Sequence, residues 1–349
     1  LKISSHDVER VLTKNRWTVD DLPTLISPAA EAYIEWMAKQ AHDLTRQRFG
    51  NVMQLFVPIY LSNECYNTCT YCGFSMEHKY TRVTLSDEQI MSEAKLLKEK
   101  GFDHILLLTG ESPKKVGVDY IQNAVRLISP YFSSIAIEVQ PLQVDDYSKL
   151  IHSGCDSLTL YQETYHQPSY EKYHLFGIKK NYDNRLDASE RGAKSGFYRL
   201  NLGSLLGLYD WRYEGLALAK HLSYMMKYHW QTQYSVSFPR IKDMVGEFKV
   251  RYPVLDRHLV QLICAYRLCF PTVGITLSTR EPAPLRDHLF KLGVTLISAE
   301  SDTSPGGYSQ SVNAESQFDI SDERSLNDII TVLKDQNFEP VFKDWEPVK

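Results

Sequence analysis

An apolar, β-rich run leads directly into a loop with three cysteines, in the stretch Leu55-Phe-Val-Pro-Ile-Tyr-Leu61-Ser-Asn-Glu-Cys65-Tyr-Asn-Thr-Cys69-Thr-Tyr-Cys72-Gly-Phe74. Residues 55–61 predict a strand, because a short apolar run with this composition is typical of a buried strand. The three cysteines have the spacing C-x3-C-x2-C and follow the C-terminal end of that strand. The stretch therefore predicts that the loop after this strand binds a metal ion or a metal cluster.

Three thiolates on one short loop can bind three irons of a [4Fe–4S] cluster, because cysteine thiolate is the usual ligand of such clusters. No fourth cysteine lies close in sequence, so one iron is left for a ligand that is not a protein side chain. A structural zinc site normally has four protein ligands in two pairs, which the triplet does not supply. A disulfide would leave an odd thiol. We therefore predict that Cys65, Cys69 and Cys72 bind a [4Fe–4S] cluster.

The composition is that of an ordinary globular protein. The chain has 349 residues, 43% hydrophobic and 23% charged, with a formal net charge of −4. This balance gives no electrostatic argument for nucleic acid or an anionic membrane as partner. Six cysteines in so long a chain do not form a disulfide framework, which indicates a reducing compartment. No apolar run reaches the roughly 20 residues that span a bilayer, and there is no signal peptide, so we expect a cytoplasmic protein.

Strand-like and helix-like segments alternate through the middle of the chain. Eight strands separated by helices are the signature of a (β/α)8 barrel, and a doubly wound open sheet is the alternative with the same alternation. Several predicted helices end at a glycine just before the next strand, at Gly101, Gly154, Gly196 and Gly293. The predicted strands lie near 52–61, 104–109, 134–139, 157–161, 198–203, 233–238, 273–278 and 294–298.

We predict one domain in three segments, since no linker or low-complexity stretch divides the chain. Residues 1–50 form an N-terminal helical extension, and residues 51–300 form the barrel. Residues 301–349 supply a loop, a helix at 322–336 and a tail that close the barrel. The predicted fold is therefore α/β, a (β/α)8 TIM-type barrel with an N-terminal helical extension and a C-terminal helix and strand cap.

Polar residues recur at the C-terminal ends of the predicted strands. In a (β/α)8 barrel this face carries the active site, because the loops that follow the strands form it. Charged residues scattered over a surface would not recur at the C-terminal end of each strand. The residues at the ends of strands two to eight are Thr109-Gly110-Glu111, Glu138-Val-Gln140-Pro141, the segment 161–166, Asn201-Leu-Gly203, Ser237-Phe-Pro-Arg240, Ser278-Thr-Arg280-Glu281 and Ser298-Ala-Glu300.

The cysteine spacing, with an aromatic residue before the last cysteine, resembles the radical S-adenosylmethionine (SAM) enzymes. Five segments in order resemble the aromatic amino acid lyases of that superfamily, and among them the tyrosine lyases of thiamine biosynthesis. A sister group, the tyrosine lyases of [FeFe]-hydrogenase maturation, has further cysteines in a C-terminal extension. No cysteine follows Cys269 here, which favours the thiamine group. The five segments are Cys-Thr-Tyr-Cys-Gly-Phe-Ser-Met (69–76), Tyr-Gln-Glu-Thr-Tyr-His (161–166), Ser-Phe-Pro-Arg (237–240), Leu-Ser-Thr-Arg-Glu (277–281) and Pro-Gly-Gly-Tyr (305–308).

This resemblance implies a radical SAM lyase that cleaves the Cα–Cβ bond of L-tyrosine. The expected products are 2-iminoacetate (dehydroglycine), for the thiazole moiety of thiamine, and p-cresol, with SAM reductively cleaved to 5′-deoxyadenosine and methionine. The implied cofactors are a [4Fe–4S] cluster and SAM, which binds the open iron. The implied partners are thiazole synthase, which receives the imine, and a reductant such as flavodoxin or ferredoxin. A hydrogenase-maturation lyase, a tryptophan lyase and a non-catalytic iron–sulfur scaffold are the alternatives.

The resemblance also implies residues that bind the adenosine part of SAM. Tyr71 has the position of the family's aromatic residue near adenine. Glu163 is a candidate for the ribose hydroxyls, since one carboxylate can accept hydrogen bonds from both. Gln140 ends the third strand and is expected to reach the adenosine or the substrate.

A second group is expected at the methionine end of SAM. Gly110 and Glu111 correspond to the end of the family's Gly-Gly-Glu segment, whose glutamate binds the methionine ammonium. The first glycine of that segment is Thr109 here. Arg185 matches the position that pairs with the SAM carboxylate, and Arg191 is the nearby competitor.

Three residues are predicted to act on the tyrosine substrate. Arg280 is the expected carboxylate clamp, because a guanidinium gives two parallel charge-assisted bonds; a structural pair with Glu281 is its alternative. Ser298 is expected to donate a further bond to the same carboxylate, and Glu300 is expected to act in catalysis. The phenol of the substrate needs a proton acceptor, for which the sequence leaves four candidates open: Glu300, Tyr308, His166 and Arg240.

Overall fold

Eight parallel strands form a closed barrel in the computed structural model, which describes residues 3–241, 248–310 and 312–343. The last strand pairs with the first, with Leu55 in register with Ile297. This closure confirms the predicted (β/α)8 barrel and excludes the open doubly wound sheet. The strands are β1 (Val52–Ser62), β2 (His104–Thr109), β3 (Ser134–Glu138), β4 (Ser157–Glu163), β5 (Arg199–Ser204), β6 (Gln233–Ser237), β7 (Gly274–Leu277) and β8 (Leu296–Ser298).

The helices begin and end where capping chemistry requires. Ser86 caps the helix after β1, because its hydroxyl accepts from the backbone N–H of Gln89. Gly196 ends the helix before β5 with a φ of 99°, a conformation that costs little only for glycine. The α-helices are Ser5–Leu12, Leu22–Leu25, Ile34–Phe49, Asp87–Glu99, Val118–Ile128, Val144–His152, Gln167–Tyr173, Tyr182–Leu186, Ala188–Ser195, Trp211–Tyr228, Asp256–Cys269, Ala283–Leu289 and Leu326–Asp335, with 3-10 turns at Val19–Asp21, Pro28–Tyr33 and Ile178–Lys180.

The terminal segments pack against the barrel as elements of their own. The predicted N-terminal extension is helical, and its long helix Ile34–Phe49 packs on the helix Asp256–Cys269. Near the other end, the strand Glu339–Val341 runs parallel to the first residues of β1. Trp345, in the predicted tail, lies outside the described residues. No helix within the described ranges is long and apolar enough to cross a membrane.

The barrel interior places the cysteine loop above an apolar layer. Phe56, Leu106, Ala136 and Leu296 belong to one buried cluster with Phe74 of the loop. The pair Thr68–Cys69 forms a short antiparallel ladder with His174–Phe176, which attaches the loop to the segment after β4. The loop and the polar ends of the strands therefore lie at the same mouth of the barrel.

Candidate active site

A cavity opens at the C-terminal mouth of the barrel, where the strand ends meet the cysteine loop. Its lining includes charged and polar side chains from the ends of β3, β4, β7 and β8. The expected clustering of strand-end residues is therefore present. Of the residues predicted from the sequence, those that line the cavity are Tyr71, Cys72, Glu163, Arg280 and Ser298.

The three cysteines lie on one tight loop beside this cavity. Cys69 is buried, Cys65 and Cys72 are partly buried, and none of the three is in a disulfide. The backbone N–H of Cys72 donates to the carbonyl of Cys69 over 3.2 Å, which closes the turn between them. Burial raises the pKa of the Cys65 thiol to about 11 and also raises the pKa of the other two thiols. Thiolates at this site therefore need a nearby positive charge, such as that of bound iron.

The arrangement of the thiols fits a cluster better than a single ion. In the part of the chain that the structure describes, no three cysteine, histidine or carboxylate side chains converge closely enough to hold one metal ion. A mononuclear zinc site would require such convergence. A [4Fe–4S] cluster instead distributes its three thiolates over three irons.

Gly110 allows the cysteine loop to lie against the end of β2. Its N–H donates to the carbonyl of Ser62 over 2.9 Å, and a Cβ atom at this position would collide with the carbonyl oxygen of Glu64. The close approach explains why the chain needs glycine at 110. It also brings Glu111 beside the loop, where the Glu111 carbonyl accepts from the N–H of Tyr66.

Four charged side chains form a connected network next to the cysteine loop. Arg185 donates to Glu111 over 2.7 Å and to Glu163 over 3.2 Å, and Lys179 donates to Glu163 over 2.6 Å. Asn67, between two of the cysteines, donates to the other oxygen of Glu111. Although burial opposes ionisation, the cations of Lys179 and Arg185 lower the pKa of Glu163 to about 2. The network therefore contains two cations and two anions.

Arg185 and Arg191, the two candidates for pairing with the SAM carboxylate, make different contacts in the structure. Arg185 is buried in the network, and its Nε also donates to the carbonyl of Tyr161 at the end of β4. Arg191 instead donates to the carbonyls of Leu142 and Asn184. Only Arg185 is therefore in a position to meet a ligand at the network.

Tyr71 is held by a histidine that the sequence did not suggest. His174 Nδ1 lies 2.8 Å from the carbonyl of Tyr170, which can only accept, so this nitrogen carries the proton. His174 Nε2 consequently accepts from the Tyr71 hydroxyl over 2.7 Å. Burial lowers the pKa of His174 to about 3, which keeps the imidazole neutral. The ring of Tyr71 is thereby fixed at the wall of the cavity.

Gln140 lies behind the cavity rather than in its lining. Its amide nitrogen donates to the carbonyl of Val116 over 3.1 Å, and the side chain is buried. Its amide oxygen has no hydrogen-bond partner among the described residues. The predicted contact of Gln140 with adenosine or substrate remains a prediction.

Arg280 is a cation without a carboxylate partner in the described ranges. Its guanidinium stacks on Phe318, with Cζ 3.3 Å from the ring centre. The alternative pair with Glu281 does not form, because Glu281 is bound by Arg240, with Nε and Oε1 2.9 Å apart. Desolvation by the surrounding protein lowers the pKa of Arg280, so an anion bound beside it would offset that cost.

Ser298 and Gln317 complete this side of the cavity. Ser298 Oγ accepts from the N–H of Thr279 over 3.0 Å, so its own hydroxyl hydrogen is left for another acceptor. Gln317, from the C-terminal loop, accepts from the Tyr60 hydroxyl over 2.8 Å. Its amide nitrogen lies 3.9 Å from Cys72 Sγ. The C-terminal loop therefore covers both the cysteine loop and the cavity.

Comparisons with known proteins identify the family of this chain. A model of the radical SAM superfamily matches residues 59–219, and one of the biotin and thiamin synthesis associated domain matches residues 237–339. The chain is 42% identical to the 2-iminoacetate synthase of Escherichia coli (strain K12) over 341 residues, which are 97% of this chain and 90% of the relative. The corresponding enzyme of Salmonella typhimurium is 43% identical over the same shares of the two chains.

This chain belongs to the 2-iminoacetate synthase family.

Solved structures agree at the level of the fold. The crystal structure of HydG, a maturase of the [FeFe]-hydrogenase, superimposes with a TM-score of 0.93 and 30% identity, over 98% of this chain and 77% of that chain. Methylornithine synthase (PylB) superimposes with a TM-score of 0.77 but only 21% identity, which shows a shared fold alone.

Membership of the 2-iminoacetate synthase family makes the protein a radical SAM lyase that uses a [4Fe–4S] cluster and SAM. The side chains observed at the mouth of the barrel fit both the cluster and SAM. The three thiols Cys65, Cys69 and Cys72 would hold the cluster, and the network of Glu111, Glu163, Lys179 and Arg185 lies next to them.

Glu300 lies away from the cavity. Its carboxylate pairs with Lys100 and accepts from the N–H of Leu326 over 3.0 Å, and it does not line the cavity. The contact with Leu326 satisfies the first N–H of the helix Leu326–Asp335. These contacts position the C-terminal helix, and the predicted catalytic role of Glu300 stays a prediction.

The other candidates for the phenol proton are engaged elsewhere. The Tyr308 hydroxyl donates to the carbonyl of Pro58, and His166 stacks on Tyr209 with ring centres 3.6 Å apart. Arg240 binds Glu281 and is always a donor. None of the three lines the cavity.

Sequence reasoning missed four site residues: Lys179, His174, Gln317 and Glu138. Lys179 and His174 belong to the segment after β4, and no motif there singled them out. Glu138 ends β3, so the strand-end pattern contained it without assigning it a role. Burial, with the negative charge of Glu163, raises the pKa of Glu138 to about 7.

Proposed function

We propose that the protein is a tyrosine lyase, which cleaves the Cα–Cβ bond of L-tyrosine to 2-iminoacetate and p-cresol while SAM is reductively cleaved to 5′-deoxyadenosine and methionine. The observation that carries this proposal is Arg280, a guanidinium in the same cavity as Cys72 without a carboxylate partner in the described chain. Such a group binds a carboxylate through two parallel hydrogen bonds, which fix the orientation of an amino acid. The similarity to named 2-iminoacetate synthases over nearly the whole chain supports the same reaction.

Arg280 and Ser298 hold the substrate carboxylate in this proposal. The hydroxyl hydrogen of Ser298 adds a third bond, since the N–H of Thr279 occupies only an acceptor position of its oxygen. Phe318 behind the guanidinium prevents Arg280 from turning away and excludes water from that side. The amine of the substrate is thereby presented at a defined position, which is what a hydrogen-atom abstraction requires.

The charged network binds the methionine end of SAM. Its two cations and two anions balance, so a zwitterion can join it without an unpaired charge being left behind. The SAM ammonium is assigned to Glu111, the SAM carboxylate to Arg185, the ribose to Glu163 and the adenine to the side of Tyr71. The bound cluster supplies the electron that cleaves SAM.

The partners are proposals of the same kind. The imine product hydrolyses in water, so direct transfer to thiazole synthase is expected. A flavodoxin or ferredoxin is expected as reductant, in the cytoplasm.

The division of one domain into segments 1–50, 51–300 and 301–349 also stays a prediction.

The test is anaerobic reconstitution with iron and sulfide, followed by addition of dithionite, SAM and tyrosine, with analysis of all products. Stoichiometric 5′-deoxyadenosine, p-cresol and glyoxylate (the hydrolysis product of the imine) are expected. Formation of 5′-deoxyadenosine without p-cresol would contradict the tyrosine assignment, and the same assay with tryptophan would then identify a tryptophan lyase. A protein that carries a cluster but forms neither product would be a scaffold.

A further inference from the structure

We propose that Glu138 is the base that accepts the phenol proton of the substrate. This inference rests on the proposed tyrosine lyase activity and adds a catalytic residue to it. Glu138 lines the cavity from the end of β3, and among the described residues its carboxylate makes no hydrogen bond or salt bridge. It therefore differs from the four candidates that the sequence offered, each of which is engaged in structural contacts.

The closed barrel places Glu138 across from the carboxylate clamp. In the cyclic order of the eight strands, β3 and β7 are four positions apart, so they face each other across the barrel axis. Glu138 ends β3, and Arg280 follows β7. The carboxylate and the phenol oxygen of tyrosine are the two far ends of the molecule. A carboxylate held at Arg280 consequently directs the phenol to the opposite wall, which carries Glu138.

The surroundings keep Glu138 suited to proton transfer. The groups that face it are Tyr60 from β1, Tyr161 and Glu163 from β4, Lys179 and Arg185 from the segment after β4, and Arg280 after β7. Burial and Glu163 disfavour its charged form, whereas the three cations favour it, and the resulting pKa of Glu138 is about 7. A base is most effective when its pKa lies near the working pH, and a phenol with a pKa of about 10 is otherwise protonated there.

The step is a proton transfer without a change in electron count. The phenol O–H bond breaks, the proton bonds to an oxygen of the Glu138 carboxylate, and the electron pair stays on the phenolate oxygen. Loss of a hydrogen atom from the substrate amine gives an aminyl radical. When its Cα–Cβ bond breaks homolytically, one electron completes the C=N bond of the imine, and the other remains on the benzylic carbon, where the phenolate oxygen stabilises it. This radical takes one electron from the reductant and one proton at carbon, and Glu138 returns its proton to the phenolate oxygen to give p-cresol.

The test compares tyrosine with 3,5-difluorotyrosine in wild-type enzyme and in Glu138→Gln. Glutamine keeps the size of the side chain but cannot take the proton, so p-cresol formation should fall by about 100-fold or more. Fluorine acidifies the phenol, which then ionises without a base. The variant should therefore lose at least about tenfold less activity with difluorotyrosine than with tyrosine. Wild-type kcat/KM for tyrosine should rise with pH through about 7, because protonated Glu138 is inactive, and this limb should disappear in the variant.

Glu214→Gln is the matched control, because Glu214 is also a buried glutamate with a pKa raised by burial to about 7. It accepts from the N–H of Tyr165 and does not line the cavity, so any loss in this variant should be equal for both substrates. Glu138→Asp should keep the acid limb, since it retains a carboxylate. Equal losses on tyrosine and difluorotyrosine in Glu138→Gln, or no loss, would overturn the assignment of the phenol base. A wild-type enzyme without p-cresol would overturn the proposed function and the base together.

Discussion

Two sets of side chains at the mouth of the barrel differ in how their charges are satisfied. On the side of the cysteine loop, Glu111, Glu163, Lys179 and Arg185 satisfy one another through ion pairs; we refer to these four residues as the paired side. Glu138 on the wall at the end of β3, and Arg280 and Ser298 on the facing wall, have no such partners in the described ranges; we refer to these three, by their unpaired state and not by position, as the open side.

The difference shows which ligand each side can accept. A balanced set of buried charges admits a zwitterion with little change in net charge, as the methionine end of SAM would require. A lone guanidinium beside a free hydroxyl hydrogen admits a carboxylate, and a carboxyl group with a raised pKa can receive a proton. The paired side therefore suits binding, whereas the open side suits orientation and proton transfer.

The largest expected effect comes from removing one thiol of the cysteine loop. Cys69→Ala should lose the [4Fe–4S] cluster and all formation of 5′-deoxyadenosine, because two thiolates cannot replace three. Iron and sulfide analysis with product chromatography measures both. Cys155→Ala is the control: Cys155 is buried elsewhere in the core, and this variant should keep its cluster. A Cys69→Ala protein with normal cluster content would contradict the ligand set.

Breaking the paired side should reduce the stability of the apoprotein. Glu163→Gln leaves Lys179 and Arg185 with one anion between them, which should lower the free energy of unfolding by about 3 kcal/mol. Urea denaturation of the apoprotein measures this change. Adding Lys179→Met to Glu163→Gln should recover part of the loss, because it removes the unbalanced cation. Strictly additive single and double variants would argue against a coupled network.

Changing the open side should instead reduce turnover. Arg280→Lys keeps the charge but loses the two parallel bonds, so kcat/KM for tyrosine should fall by roughly 100-fold, equivalent to about 2.7 kcal/mol. Unfolding free energy and SAM affinity should change little, since the native Arg280 makes no ion pair in the described structure. Arg191→Lys serves as the control, because the guanidinium of the native Arg191 binds backbone carbonyls elsewhere. A fully active Arg280→Lys enzyme would refute the clamp.

The smallest effect is expected at Glu300, which belongs to neither side. Glu300→Gln should cost about 1 kcal/mol of unfolding free energy or less, because a partly exposed pair with Lys100 is lost while an oxygen remains for the N–H of Leu326. Its kcat/KM for tyrosine should stay within about twofold of wild type. Steady-state kinetics on the variant checks this, and a loss comparable to that of Arg280→Lys would restore Glu300 to the catalytic group.

The barrel strands and the cysteine loop could be predicted from the sequence because both depend on local patterns. Strand and helix periods located all eight barrel strands, and the spacing of Cys65, Cys69 and Cys72 identified their loop. Strand-end positions brought Arg280 and Ser298 into the candidate set. A position at a strand end does not show whether a side chain points into the cavity, which is why Glu300 entered the candidate set although it pairs with Lys100, and Glu138 was left without a role.

The missed residues depend on side-chain contacts, some of them between distant parts of the chain. Lys179 matters because it reaches Glu163, and Gln317 because it reaches Tyr60, 257 residues away in sequence. His174 is informative only through its bonds to the Tyr170 carbonyl and the Tyr71 hydroxyl. Such partners are set by tertiary packing, which no local pattern encodes.

The cover over the cysteine loop is also the part of the site that is made last. Gln317 lies against Cys72 although 245 residues separate the two. At a synthesis rate of about 5–20 residues per second, roughly 12–50 s pass between the emergence of one and that of the other. For most of that interval β8 is also missing, so the barrel has not yet closed around the thiols. The growing chain therefore exposes the uncovered thiols of the cysteine loop to the solvent, and the rate of translation sets the shortest time for which they stay exposed.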